Sequence, residues 1–149
     1  MSYEDALAGR CSLPNHVYHI TICTRYRQPV FSNWQTGRLA VQEFKHVQSQ
    51  LGVQSLAWVL MPDHLHWLLQ LNKEASLART VSIFKGRSAR NINQYLARTG
   101  GLWQKGFYEQ AIRQDEDLRQ IARYIVANPL RAGLVQKIGN YPLWDAIWL

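Results

Sequence analysis

The fold of this chain is decided by residues 53–71, which read VQSLAWVLMPDHLHWLLQL. Two runs rich in aliphatic and aromatic residues, 53–61 and 64–71, are joined by the dipeptide Pro62-Asp63. Such runs are typical of β-strands, and a connection this short makes the two strands antiparallel neighbours. The stretch therefore predicts a β-hairpin near the middle of the chain.

A strand and a helix are predicted before this hairpin. Residues 16–24 alternate in the manner of a strand and are rich in β-branched and aromatic side chains. Residues 33–50 place apolar side chains at helical spacing, and Gly52 is the residue expected to end that helix.

Three further elements are predicted after the hairpin. A helix is expected at 76–97, with Gly86 as a point where it could bend or be interrupted, and a strand at 107–112. The acidic run 115–117 suits the positive end of a helix dipole and opens a last helix, which is expected to stop near residue 128, before Pro129.

The order of these elements is strand, helix, strand, strand, helix, strand, helix. It predicts an α+β protein in which helices cover one or both faces of an antiparallel, ferredoxin-like sheet. The 149 residues fit a single domain. Within it, residues 1–14 are expected to form an arm, and residues 129–149 a tail of loops and a short helix. The order of the strands across the sheet stays open.

Composition favours a polyanionic partner. The formal net charge is +7 and the sequence pI is near 9.7, which favours nucleic acid or an acidic membrane surface. Membrane binding is disfavoured, because the basic residues do not lie opposite an apolar helical stripe and no long apolar segment is present. Cys11 and Cys23 lack metal-site spacing, so a reduced, cytoplasmic protein is expected.

The sharpest local motif is His64-Leu65-His66 on the third predicted strand. Side chains alternate across a strand, so both imidazoles face the same side, about 7 Å apart along the backbone. Two such rings can converge on one cation. Two solvated histidines on an exposed sheet face would give the same pattern, so the motif by itself leaves both interpretations open.

A second motif lies on the last predicted helix, where Tyr124 and Asn128 are four residues apart and share one face. They border the apolar stripe of that helix. The phenol could therefore reach a shallow site on the sheet, and the amide oxygen could coordinate a metal ion. A packing tyrosine and an asparagine that ends a helix before proline are the alternative.

A third motif is positive charge. The segment from residue 76 to residue 105 contains six basic residues and no acidic one, whereas solvated helices usually mix the two signs. Phosphate contacts are the expected role, and Arg113 after the fourth predicted strand is a further candidate. The six candidate DNA-binding residues of the segment are Arg79, Lys85, Arg87, Arg90, Arg98 and Lys105.

Three stretches together carry a resemblance to a known family: MPDHLHWLL (61–69), GFYEQAIR (106–113) and RYIVANPLRAGLV (123–135). They resemble the IS200-like tyrosine transposases of the HUH endonuclease type. Within that family the chain is most similar to the branch associated with repetitive extragenic palindromes (REPs). The resemblance extends from about residue 16 to residue 144, and the motifs occur in the family's order.

The resemblance implies roles for individual residues. His64 and His66 would bind a divalent metal, Mg²⁺ or Mn²⁺, Asn128 would be the third ligand, and Tyr124 would be the nucleophile. The implied activity is nicking and rejoining of single-stranded or hairpin DNA through a 5′-phosphotyrosine, by a monomer or a homodimer. Gln110 departs from the pattern, since many relatives have histidine there, which puts activity or metal preference in doubt.

Two other functions remain open on the sequence. One is a DNA-hairpin-binding module that has lost cleavage. The other is a metal-dependent phosphoesterase that uses the same histidines but activates water instead of Tyr124.

Overall fold

The computed structural model describes residues 16–72, 75–113 and 116–148, so the predicted arm at 1–14 lies outside the described residues. The strands are β1 (Val17–Cys23), β2 (Gln54–Met61), β3 (His64–Gln70), β4 (Tyr108–Ile112) and β5 (Trp144–Ala146). The helices are α1 (Trp34–Leu51), α2 (Leu77–Leu96), α3 (Leu118–Val126) and the single turn α4 (Asn128–Arg131).

The strands form one antiparallel sheet in the order β4-β1-β3-β2-β5. The predicted hairpin is confirmed, because β2 and β3 pair directly and Leu60 lies opposite Leu65. The first four strands with α1 and α2 follow the β-α-β-β-α-β chain order of ferredoxin-like folds, which confirms the predicted α+β class. Strand β1 lies between β3 and β4 in the sheet and pairs with both of them.

The two faces of the sheet carry different side chains. Because side chains alternate along a strand, Leu65 and Trp67 of β3 lie on one face, and His64 and His66 lie on the other. His19 of β1 shares the face of the β3 histidines. We call these two surfaces the tryptophan face and the histidine face.

Helices α1 and α2 cover the tryptophan face. The ring centroid of Phe44 in α1 lies 4.9 Å from that of Trp58 and 4.8 Å from that of Trp67. Phe84 of α2 packs 5.3 Å from Trp67. Helix α2 is not interrupted at Gly86, because it continues through this residue. Burial of the aromatic side chains outweighs the roughly 1 kcal/mol that one glycine costs a helix.

Helix α3 packs on the opposite, histidine face, where Ile125 is fully buried. Asp117 caps it by accepting hydrogen bonds from backbone N–H groups of the first turn. The helix ends at Val126, two residues earlier than predicted, and Asn128 begins the separate turn α4. Pro129 explains the difference, since proline fits the first turn of a new helix but not the interior of an existing one.

The prediction for the tail is wrong at residues 144–146. This segment is β5, which pairs with the outer edge of β2, and the only helical piece described between α4 and β5 is the 3-10 turn Ile138–Asn140. The Tyr141 hydroxyl donates a hydrogen bond to the carbonyl of Leu60 at 2.6 Å. A strand of three residues is too short to show an alternating sequence pattern. Its extended conformation is instead set by pairing with the free edge of the sheet.

None of the helices in the described ranges combines the length and the hydropathy of a membrane-spanning segment. Cys23 is a buried free thiol, and Cys11 lies outside the described residues.

Candidate active site

The two histidines of β3 form the centre of the candidate site. His64 and His66 both project from the histidine face, and their ring centroids are 4.9 Å apart with the rings nearly perpendicular. Both side chains are partly buried, which excludes the alternative of two fully solvated histidines. Alternation along the strand is therefore enough to bring the rings together.

His66 is held by two residues of the neighbouring strand β1. Its Nδ1 lies 3.1 Å from Nε2 of His19 and 3.2 Å from Oγ1 of Thr21. Burial, reinforced by the positive charges of nearby residues, lowers the pKa of His66 to about 3, and burial also lowers the pKa of His19. His66 is thus a neutral imidazole at neutral pH, and these contacts leave its Nε2 for a ligand.

His64 is oriented by the residue that precedes it. Its Nδ1 lies 2.7 Å from Oδ1 of Asp63, whose Oδ2 accepts a hydrogen bond from Nε of Arg27 at 3.0 Å. Burial raises the pKa of Asp63, but the hydrogen bonds with His64 and Arg27 outweigh it, so the pKa lies below its usual value. A carboxylate behind an imidazole is the usual support of a metal-binding histidine. In the sequence, Asp63 is recognisable only as a turn residue.

Tyr124 lies on the same side of the sheet as the histidines. It is 65% exposed, and it lines a pocket of about 350 Å³ together with His19 and Gln110. The guanidinium of Arg131 lies 3.8 Å from the centroid of the Tyr124 ring. The charge of Arg131 is also among those that lower the pKa of His66. The fold thus brings the phenol to the histidine face of its own chain.

Gln110, the position at which the sequence departs from the family pattern, borders this pocket. It lies on β4 directly opposite His19. A change at Gln110 therefore alters the surroundings of both the phenol and the imidazole that supports His66.

Asn128 occupies the first position of α4. Its Nδ2 donates a hydrogen bond to the carbonyl of Ile125 at 2.8 Å, and its Oδ1 is the remaining amide atom. That contact connects it to α3 and not to either β3 histidine. Within the described ranges, no group of three His, Cys, Asp or Glu side chains is arranged to hold a metal ion. A metal here would therefore need two imidazoles plus an amide oxygen or ligands from outside the chain.

A second exposed tyrosine, Tyr108, lies on the histidine face and was not singled out from the sequence. It is 65% exposed and sits on β4 opposite Thr21, which contacts His66. Any assignment of Tyr124 as a nucleophile has to distinguish it from this phenol.

The predicted basic segment is divided by the fold. Arg79 and Arg90 are exposed on α2, which packs on the tryptophan face, away from the histidines. Arg87 donates from Nε to Oε2 of Glu43 on α1 at 2.6 Å. Lys85 donates to two backbone carbonyls at residues 104 and 106, and burial lowers its pKa. The charge that appeared unbalanced in sequence is partly balanced by Glu43 from another helix.

Lys105 lies on the histidine side, where it lines a small pocket of about 120 Å³ with Thr21 and Tyr108. Arg98, just after α2, is half-buried, and its backbone N–H donates to the carbonyl of Asn93 at 3.0 Å. Arg113 follows β4, with its Nε 3.8 Å from Oε1 of Glu116. The seven predicted basic residues therefore do not form one surface.

Comparisons with known proteins match this architecture. A family model described as "Transposase IS200 like" matches residues 12–128. The REP-associated tyrosine transposase of Escherichia coli is 32% identical over 91 residues, covering 58% of this chain and 50% of the relative. A Haemophilus influenzae relative assigned to the same group is 29% identical over 109 residues, covering 66% of this chain and 62% of the relative. The chain thus spans less than two thirds of the length of either protein.

A solved structure also resembles this chain. It is that of a REP-associated tyrosine transposase bound to a REP hairpin, with a TM-score of 0.72, 23% sequence identity, and coverage of 91% of this chain and 79% of that one. At this level of identity the likeness concerns the fold.

Proposed function

This chain belongs to the IS200-like transposase family, and from that membership we propose that it nicks and rejoins single-stranded DNA at hairpins with Tyr124 as the nucleophile. One observation carries the proposal. The pocket under Tyr124 is lined by His19, and His19 contacts His66 of the histidine pair at 3.1 Å. The Tyr124 phenol and the two imidazoles of the histidine pair thus lie on the same face of one chain, as attack by the phenol at a metal-bound phosphate requires.

The residues present fit a divalent metal. His64 and His66 both engage other protein groups through Nδ1, which leaves two Nε2 atoms for a cation, and Asn128 offers an amide oxygen. This mixed nitrogen and oxygen set suits Mn²⁺ or Mg²⁺, and imidazole favours Mn²⁺ of the two. A metal bound there would polarise the scissile phosphate and stabilise charge on the departing 3′ oxygen.

The chemical step forms one bond and breaks one bond. The phenolic oxygen of Tyr124 loses its proton and bonds to phosphorus, and the bond between phosphorus and the 3′ oxygen breaks. The 3′ oxygen takes up a proton and leaves as a free hydroxyl, while the 5′ phosphate stays on Tyr124. Attack of a 3′ hydroxyl on that phosphotyrosine reverses the step and rejoins the strand without ATP.

Arg131 is placed to assist Tyr124 in this step. Its guanidinium lies over the phenol ring, a geometry that restrains the ring and keeps a positive charge against the reacting phenol. The same cation can pair with the phosphate under attack. We expect Tyr124 to act on DNA bound to the histidines of its own chain.

Hairpin DNA is the substrate we propose, because a structural relative is bound to a REP hairpin and this chain carries a net charge of +7. The alternative of a binding module without cleavage keeps the same partner. The alternative of a water-using phosphoesterase keeps the histidines but gives no covalent product.

The experiment compares Tyr124→Phe with the matched variant Tyr108→Phe, since both phenols lie exposed on the histidine face. Each protein is incubated with Mn²⁺ and a labelled DNA hairpin carrying single-stranded flanks, and covalent adducts are resolved on denaturing gels. Wild type and Tyr108→Phe should form adducts, and Tyr124→Phe should bind DNA without forming them. Adducts that depend on Tyr108 would contradict the assignment of the nucleophile.

Two further outcomes identify the alternatives. Cleavage by Tyr124→Phe at the wild-type rate, without adducts, would favour the water-using phosphoesterase. Hairpin binding by the wild type with no cleavage in Mn²⁺ or Mg²⁺ would favour the binding module.

A further inference from the structure

The segment that leaves β1 presents an exposed aromatic ring between two arginines. Tyr26 is 75% exposed, the highest fraction among the exposed large hydrophobic side chains of the described residues. The guanidinium of Arg25 lies over its ring, 5.0 Å from the centroid, and Nη2 of Arg25 donates to the Tyr26 hydroxyl at 3.3 Å. Arg27 follows directly and is also exposed.

The backbone of this segment is strained. Tyr26 has φ 58° and ψ 20°, and Arg27 has φ 53°, so two consecutive residues with side chains adopt the left-handed region. That region costs a residue other than glycine roughly 1–2 kcal/mol. Strain of this kind is concentrated at functional sites, where the surrounding structure holds the backbone in place.

The surrounding structure does hold this segment firmly. The Thr24 hydroxyl lies 2.8 Å from the carbonyl of Gln28 and 3.0 Å from that of Asp63, so it bridges the two ends of the segment to the β2–β3 turn. The backbone N–H of Arg25 donates to the carbonyl of Leu102 at 2.9 Å. The aromatic ring is therefore presented on a rigid support.

The segment is joined directly to the histidine pair. Arg27 donates to Asp63, and Asp63 in turn holds Nδ1 of His64. Tyr26 thus stands one residue away from a side chain that is linked through Asp63 to His64.

We propose that Tyr26 is a stacking platform for a nucleobase of single-stranded DNA next to the cleaved phosphate. The inference rests on the proposed function for the identity of the polymer. A base stacks on the ring face that Arg25 leaves open, and Arg25 and Arg27 pair with the flanking phosphates. Stacking needs no particular base, so this subsite positions the strand without reading its sequence.

The experiment measures the binding of a fluorescein-labelled DNA hairpin with single-stranded flanks to the full chain by fluorescence anisotropy. The variants are Tyr26→Ala, Tyr26→Trp and Tyr26→Gly, and the matched control is Tyr95→Ala, a tyrosine exposed on α2 away from the histidine face. Loss of one stacked base should raise Kd by roughly 5- to 150-fold in Tyr26→Ala and Tyr26→Gly. Tyr26→Trp should bind at least as tightly as the wild type, and Tyr95→Ala should be unchanged.

Two readouts separate stacking from a structural role. Tyr26→Gly relieves the left-handed strain, so its Tm should equal or exceed that of the wild type although its DNA binding is weaker. A 2-aminopurine placed along the single-stranded flank should be quenched by the wild type at one position and not by Tyr26→Gly.

Unchanged affinity in Tyr26→Ala and Tyr26→Gly would overturn the stacking proposal, as would equal losses in Tyr95→Ala. Binding that depends on Tyr26 in a wild-type protein that forms no covalent adduct would support the platform and refute the proposed nicking. Absence of any single-stranded DNA binding by the wild type would overturn both.

Discussion

The carboxylate of Asp63 is expected to control the affinity of the histidine pair for a divalent cation. Its Oδ1 lies 2.7 Å from Nδ1 of His64, so Nε2 of the ring points away from the carboxylate. Replacing Asp63 with alanine frees the ring to rotate and to change tautomer. Replacing it with asparagine keeps an oxygen acceptor and removes only the charge. The two variants therefore separate orientation of the imidazole from electrostatics.

The magnitude follows from the geometry. Loss of a residue that supports a metal ligand typically costs about 10- to 100-fold in metal affinity. The Asp63 side chain is 29% exposed and shares its charge with Arg27, so water screens part of the interaction and the lower half of that range applies. We expect Mn²⁺ to bind Asp63→Ala about 10- to 30-fold more weakly, or ~1.4–2 kcal/mol. Asp63→Asn should fall between Asp63→Ala and the wild type.

The assay is direct titration of the DNA-free protein with Mn²⁺, with free Mn²⁺ followed by electron paramagnetic resonance, so that the result does not depend on catalysis. Asp145→Ala is the matched control, because it removes the same charge from an exposed residue of β5. Equal affinity in Asp63→Ala and the wild type would refute the role of the carboxylate. Equal losses in Asp63→Ala and Asp145→Ala would show a general charge effect instead.

Three other predictions concern the nucleophile, the basic segment and the tail. A mixture of His66→Ala and Tyr124→Phe should form no covalent DNA adducts, because Tyr124 lies over its own sheet; adducts in the mixture would indicate action across a dimer. Arg87→Ala should lower Tm by roughly 2–10 °C, since it leaves a carboxylate that is 3% exposed without its ion-pair partner, whereas Arg90→Ala should not; equal Tm values in a circular dichroism melt would contradict this. Burial raises the pKa of Tyr141 to about 12 from 10.0, so the folded state favours the neutral phenol and its stability should fall as pH rises above 10. Tyr141→Phe should cost ~1–2 kcal/mol at neutral pH and abolish that alkaline loss; urea melts at pH 8 and 11 that show the same loss in both proteins would disprove it.

The hairpin and the main helices could be predicted because their signals are local. The Pro62-Asp63 turn, the alternation around His64 and His66, and Gly52 at the end of α1 act through neighbouring residues. The same locality explains the failures. Strand β5 depends on an edge of β2 that is far away in sequence, and the end of α3 depends on how α4 begins at Pro129.

Charge was the least predictable property of the individual side chains. Lys85 and Arg87 read as phosphate contacts because their own helix has no acidic residue. In the folded chain Lys85 donates to backbone carbonyls and Arg87 pairs with Glu43, which lies 44 residues earlier. An ion pair between two helices produces no periodic charge pattern in the sequence of either helix, so it is seen only when the two helices are packed together.

By itself, the sequence determined the α+β plan, the pairing of the hairpin and the placement of two histidines on one strand face, because backbone geometry over a few residues dictates each of these. Only the tertiary structure decided that Tyr124 lies over the histidine face, that His19 contacts His66, and that Arg27, the neighbour of Tyr26, is linked through Asp63 to His64. These relations join residues separated by up to about a hundred positions, and they arise from the pairing of β1 with β3 and from the packing of α3 on the histidine face. Burial of apolar surface drives that packing, and it carries the polar groups of the site into contact.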